Sequence, residues 1–259
     1  MKAVVIGSGN VAAALADGIS ACDGLQLVQV CARNESRGRR LALRLGTGYA
    51  DRPEDVADAD IYLIAVSDSA VGEVSGRLRV PSGAVVAHTA GGLEMDVLRC
   101  TADTGVLYPF QTFSAGRHMD WMRVPLFVEY ATAHAGDVLH RVAGALSDTV
   151  FEADGMQRRM LHVAGVFACN FTNRMYAVAK ELLAGCGYDF SILAPIVHET
   201  VDKAFFSGEP ESVQTGPAVR HDAVTIRRHM EMLERQNCGR YREIYELLSK
   251  DIWETSKKI

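Results

Sequence analysis

Continuous apolar runs alternate with helical patterns through the first half of the chain. AVVI (3–6), LQLVQV (25–30), IYLIAV (61–66), AVVA (84–87), TGVLY (104–108) and LFVEY (126–130) have the unbroken apolar character of strands buried on both faces. VAAALADGIS, ESRGRRLALRLG and AVGEVSGRL lie between them, each compatible with a covering helix. This alternation predicts right-handed crossovers and an α/β fold with a doubly wound, mostly parallel sheet. After TVFEA (149–153) the period changes to that of helices, with one long stretch from Gly155 to Gly187 followed by FSILAPIVHETVDKAFFSG and AVTIRRHMEMLERQ. The pattern divides the chain into 1–153, a nucleotide-binding half, and 154–259, a smaller all-helical half.

Gly7-Ser8-Gly9-Asn10-Val11-Ala12 follows the first apolar run directly and opens the first helical pattern. In G-x-G-x-x-G the third glycine needs only to be small, so Ala12 fits the spacing of a dinucleotide cradle. Gly7 makes the turn, Gly9 lets a pyrophosphate approach, and Asn10 and Val11 present the first helical amides. An ordinary tight turn is the competing reading. The second run ends in Cys31-Ala32-Arg33-Asn34, without the Asp or Glu that holds the ribose 2′-hydroxyl of NAD. Arg33, with Arg37 one turn on, suits a 2′-phosphate instead, so NADP is the expected cofactor. A merely solvated arginine face is the alternative.

Further candidates follow from the ends of later runs, because open α/β sheets bind ligands at the carboxyl edge. AVSDSA (65–70) places Ser67 and Asp68 there, either as ligand contacts or as helix caps. AHTAGG (87–92) places His88 and Thr89 before exposed glycine backbone, with a structural role for His88 equally open. YPFQTF (108–113) adds Tyr108 and Gln111 as substrate contacts, beside Pro109 and Thr112. In the helical half, at about 100° per residue, His162 and Asn173 fall within roughly 20° of each other and Asn170 some 60° beyond. That stripe, with Tyr176 nearby, faces either a helix contact or a cleft. His162 is the candidate proton donor, and Asn170 and Asn173 are candidates to polarise the reacting group. QTGPAVRHD (214–222) adds Thr215 and Arg220 for an anionic substrate group, or else a helix start with an Arg220–Asp222 pair.

A net charge of −5 and a pI near 5.9 provide no basic footprint for nucleic acid. The 259 residues, 48% hydrophobic and 23% charged, are those of a soluble globular chain with a small-molecule partner. Cys22, Cys31, Cys100, Cys169, Cys186 and Cys238 are scattered, with no C-x-x-C, so neither disulfides nor a metal site is expected. The opening apolar run is too short for a signal core or membrane span, and a cytoplasmic protein is expected.

VVIGSGNVAAALA, AVSDSA, HTAGG, YPFQTFS, LHVAGVFACNFTNRMYAVA and QTGPAVRHD together resemble the two-domain NADP-oxidoreductase family that joins a Rossmann-like domain to a C-terminal helical domain of unknown function, the DUF2520 type. The layout is more distantly similar to pyrroline-5-carboxylate reductases, 3-hydroxyacid dehydrogenases and ketopantoate reductases. The close resemblance implies NADP binding and a homodimer through the helical half, without fixing a substrate. Where the hydroxyacid dehydrogenases carry a lysine early in the long helix, this chain has Arg158, Arg159 and His162, and the first lysine of that helix is Lys180. The expected activity is hydride transfer between NADPH and a small carbonyl or imine compound. The alternatives are a non-catalytic NADPH-binding regulatory protein and a structural dimer that has lost its ligand.

Overall fold

In the computed structural model, which describes residues 1–235 and 239–257, the chain forms two compact units, Met1–Asn170 and Phe171–Ile259. Cys238 lies outside the described residues. The first unit carries an eight-stranded sheet. Its strands are β1 (Lys2–Ile6), β2 (Gln26–Cys31), β3 (Gly48–Ala50), β4 (Ile61–Ile64), β5 (Val85–His88), β6 (Asp103–Pro109), β7 (Leu126–Tyr130) and β8 (Val150–Glu152). They lie in the order β3-β2-β1-β4-β5-β6-β7-β8, and every neighbouring pair is parallel except β6–β7. The chain steps outward from β1 to β3, then returns to the other side of β1 with β4. The carboxyl ends of β1 and β4 therefore flank the crevice where doubly wound sheets take their ligands.

The helices of this unit are α1 (Asn10–Ala21), α2 (Glu35–Leu45), α3 (Val71–Arg77), α4 (Ala133–Leu146) and α5 (Gly155–Gly165). Side chains alternate across a strand, and β1 shows the result. Ala3 and Val5 join Leu15 and Ile19 of α1 and Leu139 and Val142 of α4 in one core layer. Val4 and Ile6 join Tyr62, Ile64, Val86 and Val71 in the other. Both faces of the central strands are covered, which is why their sequences are continuously apolar. β3 and β8, at the two edges, are three residues each and leave no such run. Trp121 is 8% exposed; its Nε1 donates to the Ala14 carbonyl at 3.1 Å.

Asp154 starts α5 through a capping box with Gln157. The helix runs into a π-helical segment, Val166–Phe171, and then α6 (Thr172–Ala184). The polar stripe expected for His162, Asn170 and Asn173 assumes an unbroken 3.6-residue period. The wider π turn interrupts that period between His162 and Asn173, so they do not share the calculated phase.

The second unit consists of α6, α7 (Ala194–Ser207), α8 (Ala223–Arg235) and α9 (Gly239–Ser256), with short 3-10 turns between. Asp222 caps α8, accepting from the Thr225 amide at 3.0 Å and its hydroxyl at 2.7 Å. Glu181 of α6 accepts from Arg240 at 2.7 Å and from Tyr241, and His229 of α8 meets the Tyr245 hydroxyl of α9 at 2.8 Å. An apolar recess of about 360 Å³ lies among Met175, Leu182, Met232 and Leu248. Among the described residues no helix is long and apolar enough to cross a membrane.

Gly105 of β6 tests the tightness of the first unit. A Cβ there would lie 2.4 Å from Leu139 Cδ1 and 2.7 Å from the Glu129 carbonyl oxygen, and that backbone cannot yield without disturbing the β6–β7 ladder. Gly105→Ala is expected to cost about 1–3 kcal/mol, read in thermal unfolding as about 2–4 °C for each kcal/mol. An unchanged melting temperature would show that the sheet relaxes freely there.

Candidate functional site

A cavity of about 870 Å³ opens at the carboxyl edge of the sheet. At one end Gly7 turns the chain at φ +132°, where a Cβ would stand 2.2 Å from the Ala65 carbonyl oxygen. Gly9 has open space where a Cβ would project. As N-cap of α1 it provides no side chain to bond the first amides, and the first turn carries no acidic residue. A helix start with free amides and no competing anion is a site for phosphate. Asn10 is held by its side chain, whose Nδ2 donates to the Phe113 carbonyl at 3.1 Å. These features fit the pyrophosphate of a dinucleotide.

Arg33 and Asn34, after β2, line the next stretch together with Asp51 and Arg52, after β3. Arg37 does not line the cavity. It is exposed on α2, its amide donating to the Asn34 cap at 3.0 Å. The second cation beside Arg33 is therefore Arg52, which pairs with Asp55 at 2.6 Å. Arg77, also on the wall, is held by Glu54 at 2.7 Å and Glu73 at 3.4 Å. Among the described residues Arg33 makes no ion pair, so its guanidinium is available to an anion. Cys31 sits on the cavity wall, but burial pushes its thiol up to about 11, which keeps it protonated.

Ser67, Asp68, Thr89, Tyr108, Gln111 and His162 line the cavity further along. Ser67 makes no capping bond, leaving its hydroxyl available. Tyr108 Oη and His162 Nδ1 are 3.1 Å apart. Burial raises the Tyr108 phenol above its ordinary value, and the charge of Arg158 works in the opposite direction. Asn170 is exposed at the end of the first unit and does not line the cavity. Asn173, Thr215 and Arg220 are exposed residues of the second unit.

His88 lies behind the wall, fully buried. The Ala90 amide donates to its Nδ1 at 3.1 Å, which leaves the proton on Nε2 to bond the Glu94 carbonyl at 3.3 Å. Both nitrogens thus serve the loop that follows β5 rather than a ligand. Arg158 holds the same loop from the other side. It is 1% exposed; Nη1 donates to the carbonyls of Ala90 at 3.2 Å, Gly91 at 3.4 Å and Leu93, and Nη2 bonds Glu129 at 2.6 Å.

A doubly wound sheet with an uncapped, glycine-turned helix at its switch point defines a dinucleotide-binding protein. The family described as "NADP oxidoreductase coenzyme F420-dependent" matches residues 2–91, and the domain of unknown function DUF2520 matches residues 124–252. A Bacteroides fragilis protein described as a "putative NADP oxidoreductase" is 37% identical, with 98% of each chain covered and a TM-score of 0.88. The chain belongs to this two-domain NADP-oxidoreductase family. An imine reductase from Myxococcus stipitatus in complex with NADP+ shares the fold at 16% identity and TM-score 0.65, over 100% of this chain and 95% of the other. So does a reductive aminase from Aspergillus terreus in complex with NADPH and ethyl levulinate, at 13% identity and TM-score 0.74, over 99% and 94%. No curated protein sequence matches the chain.

Burial, with the charge of Arg158 second, pushes the His88 imidazole down to about 4, against about 6.5 in an unfolded chain. Between those values the unfolded chain takes up a proton that the folded one refuses. Stability on this account is fully present above about pH 6.5 and declines as pH falls towards 4, by up to about 3 kcal/mol. Urea unfolding at about pH 7 and about pH 4.5 is expected to show a smaller pH-dependent loss in His88→Asn than in the wild type; equal losses would assign the acid sensitivity to other groups.

Proposed function

We propose that the chain is an NADPH-dependent reductase acting on a small carbonyl or imine compound. The observation that carries this reading is one continuous cavity with a phosphate cradle at Gly7–Val11, an unpaired arginine at Arg33, and a tyrosine–histidine pair at its other wall. Its volume lies within the range of small-molecule and cofactor sites. Gly9 and the first amides of α1 hold the pyrophosphate, Arg33 the 2′-phosphate, and Ser67, Asp68 and Thr89 border the nicotinamide ribose. When bound, NADPH supplies the hydride. His162 is the source of the proton, and Tyr108 and Gln111 contact the substrate. Residues 154–259 are assigned to substrate binding and dimerisation, with Thr215 and Arg220 engaging an anionic substrate group; Asn170 and Asn173 receive no role. The free thiols of Cys22, Cys31, Cys100, Cys169 and Cys186 favour the reducing cytoplasm.

The homodimer rests on uncovered apolar surface. Among the described residues of the second unit, the buried hydrophobics are Ala218 and Tyr241, while Phe205 is 84% exposed, Phe206 95% and Leu247 68%. Met156 and Met160, on α5, are 64% and 63% exposed. Surface of this kind is normally met by a partner, and a second copy of the chain is the partner assigned. Sedimentation at micromolar concentration is expected to give twice the chain mass; a monomer would remove this part of the proposal.

The catalytic reading is tested by loss of NADPH absorbance across a panel of cyclic imines, ketones and 2-oxo acids. At least one member is expected to be reduced, with NADPH preferred over NADH. Because charge-assisted hydrogen bonds contribute about 1.5–3 kcal/mol, Arg33→Ala is expected to weaken NADPH binding about ten- to hundredfold and to leave NADH binding nearly unchanged. Equal losses for both nucleotides would remove Arg33 from the 2′-phosphate.

A further inference from the structure

Tyr108 and His162 reach each other from different elements, the end of β6 and the helix α5. Gly91 packs against both: a Cβ there would lie 2.6 Å from Tyr108 Cζ and 2.7 Å from His162 Nδ1. The loop after β5 therefore leaves room for the pair only because a glycine stands at this position. The two members see different surroundings. Tyr108 is 8% exposed, with its hydroxyl at the cavity wall, whereas His162 is exposed and can exchange protons with water. A buried phenol beside a solvent-linked imidazole has the parts of a proton relay.

We infer that Tyr108 Oη is the atom that hands the proton to the substrate and that His162 is the residue that restores it, an assignment that rests on the reductase reading above. With His162 neutral and its proton on Nε2, the phenol donates its proton to Nδ1. With His162 protonated, Nδ1–H donates to Oη instead, and the phenol proton is free to point into the cavity. As the substrate carbon accepts hydride, the π pair of C=O or C=N moves onto the heteroatom and forms a new bond to the Tyr108 proton. The Tyr108 O–H bond breaks, and the Nδ1 proton of His162 passes to Oη. Tyrosine is restored, histidine is left neutral, and water reprotonates the exposed imidazole before the next turnover. The charge of Arg158 behind the ring favours the phenol as it loses its proton.

The charged groups facing the pair are Arg158 on α5, with Glu129 of β7 bound to it, and Asp68. A Cβ on Gly92 would lie 3.9 Å from both Asp68 Oδ2 and His162 Cδ2. His88 beneath the loop is neutral.

The test uses the full chain in two measurements. Without substrate, the Nδ1 resonance of the His162 ring is expected to move in Tyr108→Phe, because its hydrogen bond with the phenol is lost. An unmoved resonance would show that the pair does not form and would overturn the assignment. With a substrate from the panel, Tyr108→Phe is expected to lower kcat about 10²- to 10⁴-fold, while the NADPH dissociation constant read by fluorescence stays within about twofold. His162→Gln is expected to lower kcat, with part of the loss restored by added imidazole, which a merely structural role would not allow. Wild-type kcat in Tyr108→Phe or in His162→Gln, or a loss in His162→Gln that imidazole does not touch, would overturn the relay while leaving the reductase reading intact. If no panel member oxidises NADPH with the wild type, the reductase reading fails and the relay fails with it, whatever the NMR shows of the pair.

Discussion

The wall of the cavity depends on one buried guanidinium. Arg158 gathers the carbonyls of Ala90, Gly91 and Leu93 and the carboxylate of Glu129, so it fixes α5 to both β7 and the loop after β5. An arginine taken so far out of water requires partners; four acceptors converge on Nη1 and Nη2, while Nε finds none among the described residues. His162 follows one turn later on the same helix. The position of the histidine relative to Tyr108 is thus set by a residue that does not itself line the cavity.

The same charge shapes the local chemistry. It acts with burial to keep His88 neutral, so that the imidazole accepts one loop amide and donates to one loop carbonyl without carrying charge into the core. At Tyr108 it opposes the effect of burial. One cation therefore stabilises the neutral state of a structural histidine and eases deprotonation of a phenol at the cavity wall. At the opposite end the cations differ in freedom: Arg52 and Arg77 are tied to carboxylates, and Arg33 is not among the described ion pairs.

The central sheet was legible because strands covered on both faces must be apolar without interruption, and β1, β2, β4, β5, β6 and β7 all fall on the runs that show it. β3 is only Gly48-Tyr49-Ala50, too short for any period. Its brevity hides the placement of residues 51 and 52 at the carboxyl edge, so the residue pattern points to Arg37 on α2 where the structure has Arg52. α4 and α9 are not marked by the residue pattern, the first following the apolar run of β7 and the second lying among charged residues. His88 invited a ligand role because it precedes glycines at a strand end. Its backbone partners are set by how the loop folds back, which spacing does not encode. Nothing in GMQRRMLH distinguishes Arg158, fully buried, from Arg159, which pairs with Glu94 nearer the surface. The His162–Asn173 stripe assumes an unbroken helical period, because a π turn such as Val166–Phe171 leaves no reliable mark in residue types.

The bare start of α1 also bears on the folding equilibrium. A Ser, Thr, Asp or Asn at the N-cap satisfies the first amides with its side chain, but Gly9 provides none. Whatever anion docks there completes the helix and binds the folded chain in preference to the unfolded one. At a hundredfold excess over its dissociation constant such a ligand adds about 2.7 kcal/mol to the unfolding free energy, a sizeable part of what holds a typical domain together. The lifetime of the folded chain in a cell is in this way coupled to the supply of its nucleotide, so that molecules starved of ligand are the first exposed to proteolysis.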